Sequence, residues 1–255
     1  MLKIDRFETI MRLLHENGTL LVSDACEMLG CSDQTIRRDF QELEEQGKLK
    51  RTHGGAFLPS ADDIGVPLRL RAKLIVKEKL HMAQVAAESL IKDRDVIMLD
   101  SSTTCNTLAR HLLESKVNVT LITNSAAVVK DYISSETSSR LVCTGGKYKD
   151  SLGGFCGTDT LSSIRNHIAD KAFISCNAIS REHGLLDNYE CQMDLRRAMI
   201  ESSSERYLLV DHTKFDDRAN FMIGDFSSIN GIITDQEPDK VWLEHFRKLG
   251  ISVVW

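Results

Sequence analysis

The chain has 255 residues, 42% of them hydrophobic and 27% charged, with a formal net charge of −5 at pH 7. That length and balance suit a folded chain with a sizeable core and exclude a low-complexity or fibrous polymer. The acidic sum excludes bulk cationic attraction to nucleic acid, so any such function must rest on charges clustered within a Debye length of about 8 Å.

Helical spacing of Ile4, Phe7, Ile10, Met11 and Leu14 predicts a first helix, stopped at Asn17-Gly18. The short apolar segment Leu20-Leu21-Val22 follows, and Ser23 suits the N-cap of a short second helix with Ala25 and Leu29 inward. Gly30 permits a sharp turn, Ser32 caps a third helix, and Ile36, Phe40 and Leu43 give that helix a core stripe. Three helices with a tight turn between the second and third predict a helix-turn-helix.

With the stripe inward, Gln34, Arg37, Arg38 and Gln41 share the outward face, where arginine can pair with guanine and glutamine with adenine. Ser32 and Thr35, at the positive helix start, suit phosphate oxygens, and Glu42, Glu44 and Glu45 lie at the end leaving the groove. Lys48-Leu49-Lys50-Arg51 and Ala56-Phe57 predict two strands around Thr52-His53-Gly54-Gly55. That is a wing, with Lys48, Lys50, Arg51 and His53 placed for a phosphate backbone. Acidic residues outnumber basic ones over 1–57, so the same pattern also reads as a solvated mixed-charge helix or a protein-contact module.

The stretch LPSADDIGVP (58–67) carries two of the three prolines and marks a boundary. The predicted organisation is a DNA-binding domain over 1–57, a linker over 58–68 and an α/β domain over 69–255. A helical pattern runs from Arg69 to Ile91. Apolar runs at 96–99, 119–123, 140–144, 171–175, 207–211, 231–234 and 251–255 then predict buried strands. Amphipathic stretches at 103–114, 125–134, 158–167, 189–203 and 239–248 predict helices between most of them, hence a largely parallel sheet covered on both faces.

Ligands of such sheets sit beyond the carboxyl ends of the strands. The loops there hold Asp100-Ser101-Ser102-Thr103-Thr104, Asn124-Ser125, Gly145-Gly146 and, after YLLVD, Lys214. Hydroxyls and amides at a helix start can cradle a phosphate, although Ser and Thr there are also ordinary caps. Seven cysteines show no CxxC pair, and Cys26 and Cys31 fit neither a zinc finger nor a thioredoxin motif, so free thiols and no metal are expected. No run approaches the roughly 18 apolar residues of a membrane span, and the first residues lack an apolar signal core. A cytoplasmic protein without a membrane partner is the expectation. No nucleophile elbow, HExxH or P-loop occurs.

The segment VSDACEMLGCSDQTIRRDFQELEEQGKLKRTHGGA resembles the N-terminal signature of the DeoR family of bacterial transcriptional regulators, with TIRRD, L-x-x-Q-G and RTHGGA in order. The hydroxyl loop at 100–104, TNS at 123–125, the glycines at 145–146 and DHTKF at 211–215 likewise resemble that family's sensor domain. The resemblance implies a small winged helix-turn-helix followed by a Rossmann-like, mostly parallel-sheet domain similar to ribose-5-phosphate isomerase. It implies a repressor of a carbohydrate operon that binds operator DNA as a homo-oligomer, dimer or tetramer, and needs no cofactor. It further implies that Ser101 to Thr104 hold the phosphate of a sugar effector, that Asn124 and Gly145 line the sugar pocket, and that Lys214 adds charge. DSSTT, where the family more often has a glycine, and Ser175-Cys176-Asn177-Ala178-Ile179, where it favours G-A-x-G-I, depart from the pattern. The alternatives are an isomerase-like enzyme with an accessory DNA-binding domain, drawing acid–base groups from Asp100, His183, Glu190 and Lys214, and a large domain that only oligomerises.

Overall fold

Apolar residues at helical spacing close the first core of the computed structural model, which describes residues 2–59 and 65–255. Residues 60–64, within the expected linker, lie outside the described residues. Helix α1 (Lys3–Asn17) turns Ile10, Leu13 and Leu14 inward and ends at Gly18, where a φ of 73° lets the Gly18 N–H donate to the Leu14 carbonyl. Strand β1 (Thr19–Leu21) leads into α2 (Val22–Leu29), and the chain turns at Gly30 into α3 (Asp33–Glu45). Ile36, Phe40 and Leu43 of α3 pack with Ile10, Leu14, Ala25 and Leu29. Strands β2 (Lys50–Thr52) and β3 (Gly55–Phe57) form the expected antiparallel wing, and β1 pairs with the other edge of β3.

Ser32 caps α3 by accepting from the Thr35 N–H at 3.3 Å. Ser23 does not cap α2. The Val22 N–H donates to the Gly54 carbonyl, which starts the helix earlier and leaves Leu21 in the cap position. The helical pattern expected from Arg69 to Ile91 is two helices, α4 (Leu68–Lys73) and α5 (Val76–Leu90). Between them Leu74 is extended and Ile75 takes a φ of 44°, which no α-helix contains. Leu70 of α4 is buried and lies close to Gly55 of β3, and the two compact units of the chain meet in sequence between Val76 and Lys77.

The second unit runs from α5 through β4 (Val96–Leu99), α6 (Thr103–Glu114), β5 (Thr120–Thr123), α7 (Ala126–Ile133) and β6 (Arg140–Cys143). A hairpin of β7 (Lys147–Lys149) and β8 (Gly154–Cys156) precedes α8 (Thr158–Arg165), β9 (Ala169–Ile174), β10 (Ala178–Ser180) and β11 (Gly184–Asp187). Helix α9 (Glu190–Glu201), β12 (Ser203–Leu209), β13 (Phe221–Gly224), β14 (Gly231–Ile233), α10 (Lys240–Leu249) and β15 (Ser252–Val254) complete it. All seven expected strands lie in one sheet of order β15-β14-β12-β9-β4-β5-β6, and every neighbouring pair is parallel.

Successive residues of these strands enter opposite cores. Met98, Ile174 and Leu208 pack with Trp242 on one face, while Leu99, Phe173 and Leu209 pack with Leu108 on the other. The chain proceeds outward from β4 to β5 and β6, then crosses back to β9 and onward to β12. The order reverses between β4 and β9, and the crevice position at which such sheets place ligands lies beyond the carboxyl ends of these strands. Two groups of short strands went unread in the sequence: the β7–β8 hairpin and the antiparallel β10-β11-β13 sheet. Among the described residues no helix is long and apolar enough to cross a membrane.

A buried ion pair ties α3 to α1. Arg6 of α1 donates from Nε and Nη2 to the two carboxylate oxygens of Asp39 on α3, at 2.6 and 2.9 Å, and Asp39 is 2% exposed. Arg6→Leu leaves that carboxylate buried and unpaired, so a loss of roughly 3–5 kcal/mol in the first unit is expected. Hydrogen exchange of the α3 amides checks it. Protection unchanged from the parent chain would show the pair to be dispensable.

Candidate nucleic-acid interface and ligand crevice

Helix α3 presents Gln34, Arg37, Arg38 and Gln41 to solvent, with Ser32 exposed and Thr35 half-buried at its start. The two arginines differ. Arg38 is 82% exposed, and its nearest acid, Glu42, lies 3.6 Å away. Arg37 forks onto Asp33, one turn earlier, and its Nη1 donates to the His53 carbonyl at 2.9 Å. Arg37 therefore braces the wing tip against α3.

Arg51 braces the wing's first strand in the same way, through its Nε and backbone N–H to Glu44 at 2.7 and 2.8 Å. Burial pushes the Glu44 carboxyl up, but these Arg51 hydrogen bonds outweigh it and hold it below the ordinary value. Glu42 is engaged by Lys3 as well as Arg38, and Gln41 donates to Glu45 at 3.1 Å. The acidic end of α3 is thus largely paired off. Lys48, Lys50 and His53 remain exposed along the wing.

In the second unit β4, β5 and β6 are parallel neighbours, so the loops at 100–104, 124–125 and 145–146 emerge side by side. Lys214 follows β12, two strands from β4, on a single turn (His212–Lys214) that is pinned by His212 donating its N–H to Asp235 at 2.7 Å. Ser102 caps α6 by accepting from the Cys105 N–H at 3.1 Å, and Ser125 caps α7 by accepting from the Val128 N–H at 3.3 Å. The capping reading of these hydroxyls holds for both. It also sets two positive helix starts at the crevice. Thr103 is half-buried and Thr104 buried beside them.

Gly145 adopts a φ of 63° with open space where a side chain would project. Gly146 has no alternative, since a Cβ would collide with the Thr160 hydroxyl. Strand β8 crosses the Asn124 loop closely: a Cβ on Gly154 would lie 2.6 Å from Ser101 Cβ and 2.7 Å from the Asn124 carbonyl oxygen. Asn124 is locked to that strand, accepting from the Phe155 N–H at 2.8 Å and donating from Nδ2 to the Phe155 carbonyl at 2.9 Å.

Asp100 lies beneath the loop. It is 1% exposed and accepts from the Ser102 N–H at 2.9 Å, the Ser175 N–H at 3.0 Å and Arg196 Nε at 2.6 Å. Arg196 also donates to Asp187, which is equally buried. Burial pushes the Asp100 carboxyl up, yet Arg196 and the two amides hold it below the ordinary carboxylate value. Arg196 and its neighbour Gln192 on α9 went unread as site residues. Their signal was a pair of polar residues four apart on the face that also buries Leu195 and Met199.

The two departures from the family pattern fit this backbone. None of residues 100–104 or 175–179 has a positive φ, so neither segment requires glycine. Cys176 fills its position as a buried thiol, pushed up to about 12 by burial. No hydrogen bond links any two of Asp100, His183, Glu190 and Lys214, and His183 and Glu190 are exposed. Among the described residues no group of three or more His, Cys, Asp and Glu is placed to hold a metal.

Two family models match the chain. Residues 6–61 match the DeoR-like helix-turn-helix domain and residues 75–236 match the DeoR C-terminal sensor domain. The chain is 30% identical to the HTH-type transcriptional repressor GlcR of Bacillus subtilis, over 98% of this chain and 95% of that one. It is 34% identical to the lactose phosphotransferase system repressor of Lactococcus lactis, over 94% of each. A solved ribose 5-phosphate isomerase A from Methanocaldococcus jannaschii is 21% identical over 54% of this chain and 53% of that one. Its TM-score of 0.38 is too low to transfer anything from that enzyme.

Arg196→Met leaves two buried carboxylates without a cation, so a loss of roughly 3–5 kcal/mol at neutral pH is expected, read from urea unfolding by tryptophan fluorescence. In the parent chain Asp100 stabilises the fold fully above the unfolded carboxylate value, and that contribution is lost as pH falls through its lowered folded value. In the variant only the Ser102 and Ser175 amides oppose burial, so the folded value rises above the parent's. Its deficit should therefore shrink as pH falls from neutral to about 5. A deficit constant across that window counts against Arg196 as the group that keeps Asp100 ionised.

Proposed function

This chain belongs to the DeoR family of transcriptional regulators, and on that premise we propose that it represses a carbohydrate-catabolic operon under the control of a phosphorylated sugar. It is a DNA-binding regulator and not an enzyme, as are the relatives it matches along nearly their whole length. The observation that carries the reading is the combination, in one chain, of an open Arg38 face on α3 beside a braced wing and hydroxyl-bearing loops at the strand ends where the sheet order reverses.

In this reading Arg38, Gln34 and Gln41 contact base edges, while Ser32, Thr35, Lys48, Lys50 and His53 contact phosphates. Arg37 and Arg51 fix the angle between wing and helix. One helix-turn-helix reads one half-site, so the working form in the cytoplasm is a homo-oligomer, a dimer or tetramer, on a two-fold operator. The effector's phosphate sits at the starts of α6 and α7 with Lys214 nearby, and its carbohydrate lies toward Asn124 and Gly145. Control requires that the effector bind the DNA-compatible and DNA-incompatible states with different affinity, typically by 1–3 kcal/mol.

Arg38→Ala should cost roughly 1–3 kcal/mol on the operator and much less on random DNA, measured by fluorescence anisotropy at fixed salt. Arg37→Ala should weaken both, because it frees the wing. Equal, small losses on both DNAs in Arg38→Ala would remove its base-reading role. A second measurement tests control: thermal-shift titration against triose, pentose and hexose phosphates, with the free sugars alongside. A ligand at 100 times its dissociation constant adds about 2.7 kcal/mol and moves the midpoint by a few degrees. A flat response to every phosphorylated compound would leave DNA binding without sugar control.

A further inference from the structure

Three buried polar atoms beyond the strand ends take no hydrogen bond from any described residue: Asn124 Oδ1, Thr144 Oγ1 and Gln192 Oε1. Their residues are 0%, 7% and 4% exposed. They gather at one place. Thr123 and Cys143 pair in the β5–β6 register, so Asn124 and Thr144 stand side by side one residue further on. Gln192 arrives from α9, with its Nε2 donating to the Ser101 hydroxyl at 3.1 Å, and Asn124 Nδ2 lies 3.5 Å from that same oxygen.

Orphaned buried polar atoms are rare in folded proteins, and a cluster of them at the crevice points to a ligand that completes it. The orientation of Asn124 is fixed, because its Nδ2 must face the Phe155 carbonyl at 2.9 Å; Oδ1 is therefore the acceptor left without a donor. Gln192 has only the Ser101 hydroxyl as partner, so turning its amide over still leaves one end unpaired.

The chemistry of these atoms selects the part of the ligand they meet. A phosphate dianion brings no proton to a carbonyl oxygen and meets a dipole of the wrong sign. A carbohydrate hydroxyl both donates and accepts, and suits all three atoms. The charged groups nearest them do not compete, since Asp100 and Asp187 are both held by Arg196.

We propose that Gln192, with Asn124 and Thr144, forms an uncharged wall that reads the hydroxyl pattern of the effector's carbohydrate, and that Gln192 decides which sugar is accepted. This rests on the sugar-phosphate reading above. Gln192 is the adaptable member, because its amide can offer either a donor or an acceptor, whereas Asn124 is locked.

The test is calorimetric titration of the full chain with glucose, mannose, galactose and fructose 6-phosphates, their deoxy analogues, pentose and triose phosphates, and inorganic phosphate. The parent chain should separate its preferred compound from the analogue lacking one hydroxyl by tenfold or more. Gln192→Ala should erase most of that ratio while the affinity for inorganic phosphate stays within about twofold of the parent's, the phosphate end being untouched. Thr144→Val keeps the shape of its side chain and should lower the ratio too, which holds the test open if Gln192→Ala does not fold. A parent chain that binds a phosphosugar while both variants keep the parent's ratio overturns this inference alone, and is the result expected if an internal water satisfies the three atoms. A parent chain that binds no phosphosugar overturns the sensor reading and this inference with it.

Discussion

The second unit is organised around one guanidinium. Arg196 joins Asp100 at the end of β4 to Asp187 at the end of β11, while Asp100 also takes the Ser175 amide just beyond β9. Three strand ends and a helix are thereby fixed at the point where the sheet order reverses. Burying three charged groups is costly, and an apolar replacement of the whole set can be as stable. What the arrangement supplies is position. Each donor and acceptor fits in one geometry, and the hydroxyl loop that starts at Ser101 inherits it.

The first unit uses the same chemistry closer to solvent. An acidic domain approaches a polyanion more readily where the carboxylates on its leading face are occupied, and on α3 four of them are: Asp39 by Arg6, Asp33 by Arg37, Glu44 by Arg51, and Glu42 by Lys3 and Arg38. Exposed pairs of this kind add little to stability. Their effect is to spend two of the wing-facing arginines on geometry, leaving Arg38 and the wing lysines as the outward cations. Net charge over the domain was therefore a poor guide, and the pairing pattern a good one.

Much of the architecture was legible in the sequence because burial writes it there. The inner strands of the parallel sheet are covered on both faces and so carry apolar runs, as VIML and YLLVD do. The helices of the winged unit were equally plain, with Ile36, Phe40 and Leu43 on one face. The unread β7–β8 hairpin lacks such a run. Strand β7 is Lys-Tyr-Lys and exposed, and β8 is Gly-Phe-Cys, held by backbone contacts to the Asn124 loop. The α4–α5 break at Ile75 leaves no mark, since isoleucine rarely takes a positive φ and nothing local announces it. Ser23 misled because a tertiary bond from Val22 to Gly54 set the helix start. Gln192 and Arg196 were hidden for another reason: on a helix, a polar residue facing inward is recognised only once its partners are known.

Those partners are far along the chain, and this bears on how the protein is made. Asp100 waits 75 residues for Ser175 and 96 for Arg196, and β4 gains β9 only after α6, β5, α7, β6, the β7–β8 hairpin and α8 have been made. Contacts of such separation form late, because loop closure must precede any reward. A nascent chain that has passed β6 holds Ser101 and Asn124 on paired strands but no crevice. The carboxyl end of the sheet is complete only after α9 and then β12 with Lys214 have docked, so a small molecule held there, as proposed above, acts on a finished fold and leaves partly synthesised chains untouched.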